Sequence, residues 1–145
     1  MNFRLGRRYP SDKAKRKFKE RVKEITRRNQ TINVEKLIKK KLNPYVRGWG
    51  NYFTQGNGIA FFREMDGWIR RRLRAVQLRS WRKIRKLHRE LRRRKYNGEL
   101  PRLRMTAWRS SLCMPVHVAL PNLWFEEAGL CTLVKLYNEK RPQRG

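Results

Sequence analysis

The chain has 145 residues, enough for one domain, or one domain with an appendage, that buries about two thirds of its unfolded surface. Its 39 Lys and Arg against 11 Asp and Glu leave a net charge of +28, which points to a polyanionic partner and disfavours an enzyme of neutral metabolites. Hydrophobic residues at 39% and aromatic residues at 11% exclude a wholly disordered basic tail, so the chain should fold.

The charge is uneven along the chain: +9 in residues 1–30, +3 in 31–69, +13 in 70–95 and +3 in 99–145. Residues 1–10, MNFRLGRRYP, read as a basic flexible arm. Ser11 is placed to cap a helix whose dipole Asp12 complements. From Lys13 to Asn29 the strong apolar residues are Phe18, Val22 and Ile25, which predicts a narrow amphipathic helix. A turn at Asn29–Asn33 leads into a second helical run from Val34 to about Phe53. Its stripe is Leu37, Ile38, Leu42, Tyr45, Val46, Trp49, Tyr52 and Phe53. Pro44 lies inside that run and predicts a kink or break near Lys41–Asn43. Gly48 and Gly50 flank Trp49, which suits a close approach of another element to the backbone. The stretch TQGNG at 54–58 reads as a turn.

A third run reaches from Ile59 to about Arg94. At about 100° per residue, Phe62, Met65, Ile69, Leu73, Val76, Ile84, Leu87 and Leu91 share one side. Arg70, Arg71, Arg74, Arg82, Arg85, Arg89, Arg92 and Arg93 take the other. Gln77–Ser80 interrupt the apolar spacing and allow a bend or a new helix there. Beyond the connection YNGELP at 96–101, Pro115 can start a helix, Pro121 argues for a break, and Gly129 suits a C-terminal cap. Leu130, Leu133, Val134 and Tyr137 then suit a short last helix, and the tail NEKRPQRG reads as frayed. No convincing alternating strand occurs. The expected class is all-α: a three-helix bundle over 11–95, a connection at 96–104, a small helical extension over 105–138 and a tail at 139–145.

Catalysis by this chain alone is disfavoured. Metal-assisted phosphoryl transfer needs clustered carboxylates, and the chain has two Asp, Asp12 and Asp66, in separate helices. Glu126 and Glu127 read as a solvated face. Neither His88 nor His117 has a second ligand at a metal-binding interval, so no metal or cofactor is expected. Cys113 and Cys131 lack CxxC spacing, no signal-peptide core follows Met1, and no apolar run could span a membrane; two free thiols in a reducing compartment are expected. The segment RRRLRAVQLRSWRKIRKLHRELRRRK, by contrast, sets one Glu against fourteen Lys and Arg. Solvated helix faces mix signs, so this density points to nucleic acid, with a membrane surface the lesser alternative. Arg predominates, which favours two-donor contacts to phosphate. Trp49, Tyr52, Phe53, Trp68, Trp81, Trp108 and Trp124 could stack on bases, but most fall at core spacing. Trp81, between Arg79 and Arg82, is the best stacking candidate.

Two words carry a resemblance, LNPYVRGWGNYF at 42–53 and FREMDGWIRRRLR at 62–74. They resemble the signature of the maturase-specific region, the thumb or domain X, of group II intron reverse transcriptases. KAKRKFKERVKEITRRN upstream looks like the first thumb helix, and AWRSSLCMPVHVALPNLWFEEAGLCTLVKLY downstream like the C-terminal extension of bacterial members. The resemblance implies a three-helix thumb that holds a template–primer duplex and grips intron RNA for splicing. It implies RNA contacts at Arg47, Arg70, Arg71, Arg72 and Arg74, and structural roles for Asn43, Pro44, Trp49, Asp66 and Trp68. Arg82, Arg85, Arg89, Arg92, Arg93, Lys15 and Lys19 complete the expected RNA-binding set from the charged faces. There is no palm, no Y-x-D-D word and no HNH-type endonuclease, so polymerase activity is not carried over. The expected function is an RNA-binding maturase module without enzymatic activity of its own, cytoplasmic in a bacterium or organellar in a eukaryote, with no membrane partner. Two rivals stand beside it. One is the thumb of a split reverse transcriptase, working with a separate palm chain on an RNA–DNA duplex; the other is a non-specific DNA-binding or ribosomal-RNA-binding protein.

Overall fold

A computed structural model describes residues 10–27, 32–53, 58–80, 84–95 and 118–139, with the backbone alone for 80 and 84–87. Every regular element among them is helical. Helix α1, Asp12–Ile25, begins at the expected cap: the Ser11 hydroxyl accepts from the Ala14 amide at 3.1 Å, and Asp12 sits in the first turn. Phe18, Val22 and Ile25 form its buried stripe, as their spacing requires. Helix α2, Val34–Leu37, is capped by Asn33, whose side chain accepts from the Lys36 amide at 2.8 Å.

Pro44 does not break the second run, which stays helical from Val34 to Phe53. The helix widens into a π-helical turn, Ile38–Leu42, in which the Asn43 amide reaches back five residues to the Ile38 carbonyl, and then resumes as α3, Asn43–Phe53. Proline thus occupies the start of α3, where its missing N–H is least missed. Helix α4 spans Ile59–Ser80 and α5 spans Ile84–Arg93; residues 81–83, where the interrupted spacing allows a bend or a new helix, lie outside the described residues. Lys95, in the left-handed region at φ 57°, follows α5 and donates its amide to the Arg92 carbonyl. The turn at 54–57, the connection at 96–104, the tail from 140, residues 1–9, Trp81, Arg82, Trp108, Cys113 and Pro115 lie outside the described residues.

Near the C-terminus, α6 runs Asn122–Glu127 and α7 runs Leu133–Glu139. Pro121 stands at the α6 N-cap, and Gly129 ends that helix at φ 88°. The Leu130 amide reaches the Phe125 carbonyl and the Gly129 amide that of Glu126, the paired bonds of a glycine-terminated helix. Helix α7 lies across α3 and α4, while α1 meets the π-helical turn and α2 meets α4. One contiguous core results. Phe18, Val22, Leu37, Leu42, Val46, Phe62, Leu73 and Leu91 share it with Leu120, Phe125, Leu133 and Leu136.

The glycine pair divides. A β-carbon at Gly50 would stand 2.6 Å from Leu136 Cδ1 and 3.0 Å from Leu133 Cδ2, so α7 approaches α3 there as closely as glycine permits. Gly48 faces open space, with nothing within 4 Å of the same position, which overturns the expectation of close approach for that residue. Tyr52, placed on the apolar stripe by its spacing, is 37% exposed at the end of α3. Trp49 is half-buried against Phe18, ring centroids 4.4 Å apart, and against Phe53 at 4.5 Å. Trp68 and Trp124 also pack against the core, so these three tryptophans serve packing.

Candidate nucleic-acid interface

The cationic segments separate into groups turned inward and groups turned outward. Asp66, Arg70, Arg74 and Leu78 follow one another at four-residue intervals on α4 and form a ridge along one side of the helix. Its buried members are Asp66, Arg74 and Leu78, at 4%, 4% and 0% exposure. For Asp66 and Arg74 the reason is the C-terminal segment, which lies over a face that the apolar periodicity of α4 leaves to solvent.

Arg74 shows the consequence most directly. Its Nε donates to the Leu120 carbonyl at 2.9 Å, one terminal nitrogen donates to the Asn122 side-chain oxygen at 2.9 Å, and the guanidinium lies 5.1 Å from the Phe125 ring centre. Burial, with Arg70 and Arg71 nearby, lowers its pKa to about 10, so it stays cationic at neutral pH. A buried guanidinium held by a carbonyl, an amide oxygen and a ring face is a structural cross-link. The expectation that Arg74 faces RNA is therefore corrected: its donors are committed to the segment at 120–125.

Asp66 and Asn43 complete the same seam. The Asp66 carboxylate accepts from the Leu133 amide at 2.8 Å and the Val134 amide at 3.0 Å, satisfying two first-turn donors of α7. The Thr132 hydroxyl takes a third, from Lys135, at 3.2 Å. Burial pushes the Asp66 carboxyl above the usual aspartate range, against the opposing pull of those two amides and of Arg70. Asn43 donates to the Gly129 carbonyl at 2.7 Å and accepts from the Cys131 amide at 2.8 Å, matching the main chain on both sides of one residue. Beside it, Cys131 is a buried free thiol whose pKa burial raises, although Arg47 donates to its sulfur.

Arg72 is drawn inward in the other direction. Its Nε donates to the Thr26 hydroxyl at 2.7 Å, and a terminal nitrogen lies 3.4 Å from the Lys23 carbonyl and 3.5 Å from that of Thr26. The Thr26 hydroxyl in turn donates to the Val22 carbonyl at 2.6 Å. A cation at the carbonyl end of α1 complements the helix dipole, so Arg72 fastens α4 to α1. This removes a second arginine from the expected RNA-facing set.

The outward group is what remains of the strip, together with α1. Arg71, Arg89, Arg92 and Arg93 are exposed, and Arg70 is half-buried beside Asp66. Glu90, the one acid between residues 70 and 95, is shared by Arg93 at 4.0 Å and Arg94 at 3.1 Å. On α1, Lys13, Arg16, Lys17 and Lys23 are exposed, as is Arg27 just beyond its end; Arg21 is exposed but pairs with Glu24 at 2.8 Å. Lys19 is half-buried, and Lys15 lies over the Phe61 ring at 4.8 Å. Arg47 is exposed on α3. The π-helical turn adds three exposed cations that the helix-face argument passed over, Lys39, Lys40 and Lys41. Their signal was an uninterrupted KKK between buried Ile38 and Leu42. The side chains of Arg82 and Arg85 lie outside the described residues.

Among the described residues, an all-α scaffold with a polar seam and several exposed basic faces defines a class, a basic helical domain. The chain belongs to the group II intron maturase-specific domain family, whose model matches residues 15–96, more than half of its length. The matched span contains Asn43, Asp66 and Arg74 but ends before the residues those side chains hold, 120–134. No curated protein matches the chain.

Proposed function

We propose that this chain is an RNA-binding maturase module, which grips folded intron RNA through its exposed cationic helix faces and assists splicing without catalysing a reaction. The carrying observation is the outward set on α5, Arg89, Arg92 and Arg93, in a segment whose fourteen basic residues meet one Glu. Exposed like charges at this density repel one another, and a polyanion relieves that repulsion. Membership of the maturase-specific domain family supports structured intron RNA as that polyanion.

Recognition in this reading is by shape. A-form helices hide their base edges in a deep groove and present phosphates and 2′-hydroxyls, which guanidinium forks can take two at a time. The faces of α1 and α5 neutralise phosphates where RNA helices must come close. If about six to ten phosphates are engaged, affinity falls by several powers of ten between about 50 and 200 mM salt. The test is a filter-binding titration of a group II intron RNA across that range, with unrelated duplex DNA and ribosomal RNA as competitors. A steep salt slope with preference for the intron supports the proposal. A flat slope, or equal competition by unrelated duplexes, overturns it. Among the described residues no helix is long and apolar enough to cross a membrane.

A further inference from the structure

Between α3 and α4 on one side and α6 and α7 on the other lies a cleft of about 940 Å³. The first wall supplies Arg47, Asn51 and Arg70; the second supplies Glu126, Lys135 and Glu139. Only the first wall lies within the span the family matches, so the cleft exists as a site because the C-terminal segment is docked. The docking is tight. Asn43, Asp66 and Arg74 bond to backbone groups on the far side, and Gly50 lets α7 approach α3 without an intervening side chain. Both walls are therefore fixed relative to each other before any ligand arrives, which lowers the ordering cost of binding.

Size and charge narrow the occupant. A volume of this order suits a group of a few nucleotides at most and is far too small for a duplex about 20 Å across. Three cations from separate elements can hold phosphates. Two carboxylates line the same space, which is unfavourable for a bare anion and equally for a strand presenting phosphate alone. They suit a ligand carrying hydroxyl or amino donors beside its phosphates. Ribonucleotides have this combination, and the 2′-hydroxyl is the donor that deoxyribonucleotides lack.

We propose that this cleft takes a short single-stranded RNA segment, its phosphates on Arg47, Arg70 and Lys135 and its 2′-hydroxyl donors on Glu126 and Glu139. The assignment rests on the reading of the chain as an RNA-binding module, and it adds a second mode beside the duplex contacts of α1 and α5. It places RNA-over-DNA discrimination in residues downstream of the family's matched span.

The test uses the full chain and three labelled probes: a single-stranded RNA hexamer, the DNA hexamer of the same sequence, and a long RNA duplex. The RNA hexamer should bind about five- to tenfold more tightly than the DNA hexamer. The variant Lys135→Ala, at an exposed position away from the faces assigned to the duplex, should lose about threefold or more for the RNA hexamer and less than about twofold for the duplex. Glu126→Gln with Glu139→Gln, also at exposed positions, should retain the native thermal transition and bring the two hexamers to equal affinity. Equal hexamer affinities in the native chain overturn the proposal, as does hexamer binding unchanged in the first variant, or competition by an acidic peptide as strong as by RNA. If duplex binding persists in those cases, the cleft assignment fails alone; if the native chain binds neither RNA probe at low salt, the RNA-binding reading fails with it.

Discussion

Helices α4 and α5 are both rich in arginine, yet they use their guanidinium groups in opposite ways. In α4, Arg74 is buried against the C-terminal segment and Arg72 is bonded to the end of α1. In α5, Arg89, Arg92 and Arg93 stand in solvent. Helix α4 is covered on two sides. One face of α4 meets the bundle while another is covered by residues 118–139, so a position opposite the apolar stripe is still interior. Charge density locates the basic segments, but it does not distinguish a cation that binds a partner from one that binds its own chain.

Substitutions along the two helices should separate these roles. The largest loss of stability is expected at Arg74: Arg74→Ala leaves the Leu120 carbonyl and the Asn122 oxygen without their donor and opens space beside Phe125, at a cost of about 2–4 kcal/mol. A thermal melt checks it, and a native transition would return Arg74 to the surface set. Asp66→Ala should cost about 1–3 kcal/mol, because it strips two donors at the start of α7 of their acceptor. Amide hydrogen exchange at Leu133 and Val134 should accelerate in that variant before the rest of the chain does.

Much of this architecture can be read from residue spacing. Ser11, the Phe18–Val22–Ile25 stripe, the break at Pro121 and the left-handed Gly129 all follow from local chemistry, and each stands where that chemistry requires. What spacing misses is tertiary. The proline at 44 announces a distortion, but whether the chain breaks or widens into a π-turn depends on α1 and α2 holding Ile38 and Leu42 in the core. The structural weight of Asn43 and Asp66 comes from the family resemblance; their partners, more than sixty residues away, do not. Leu78, standing opposite Ile69 on α4, is the one sequence signal that a second face of that helix is covered.

The glycine pair gives a smaller contrast. Gly48→Ala should stabilise the chain by about 0.5–1 kcal/mol, the usual gain for alanine in an open helical position. Gly50→Ala should forfeit that gain, because Leu136 must move to admit the methyl group. Denaturant midpoints of the two variants measure the difference directly. Smallest in stability is the change on α5: replacing Arg89, Arg92 and Arg93 together by Ala should move folding by less than about 0.5 kcal/mol each. The same variant should lower RNA affinity by about tenfold or more and reduce the salt slope by about one for each phosphate it no longer neutralises.

The division between inward and outward arginines is tested most directly by measuring RNA affinity and thermal midpoint side by side in two variants, Arg74→Ala and Arg92→Ala with Arg93→Ala. The account predicts a crossed result: a lowered midpoint for the first, with native affinity retained at temperatures where it remains folded, and a native midpoint with weakened, less salt-dependent binding for the second. A first variant that melts as the native chain does but no longer binds RNA would contradict it.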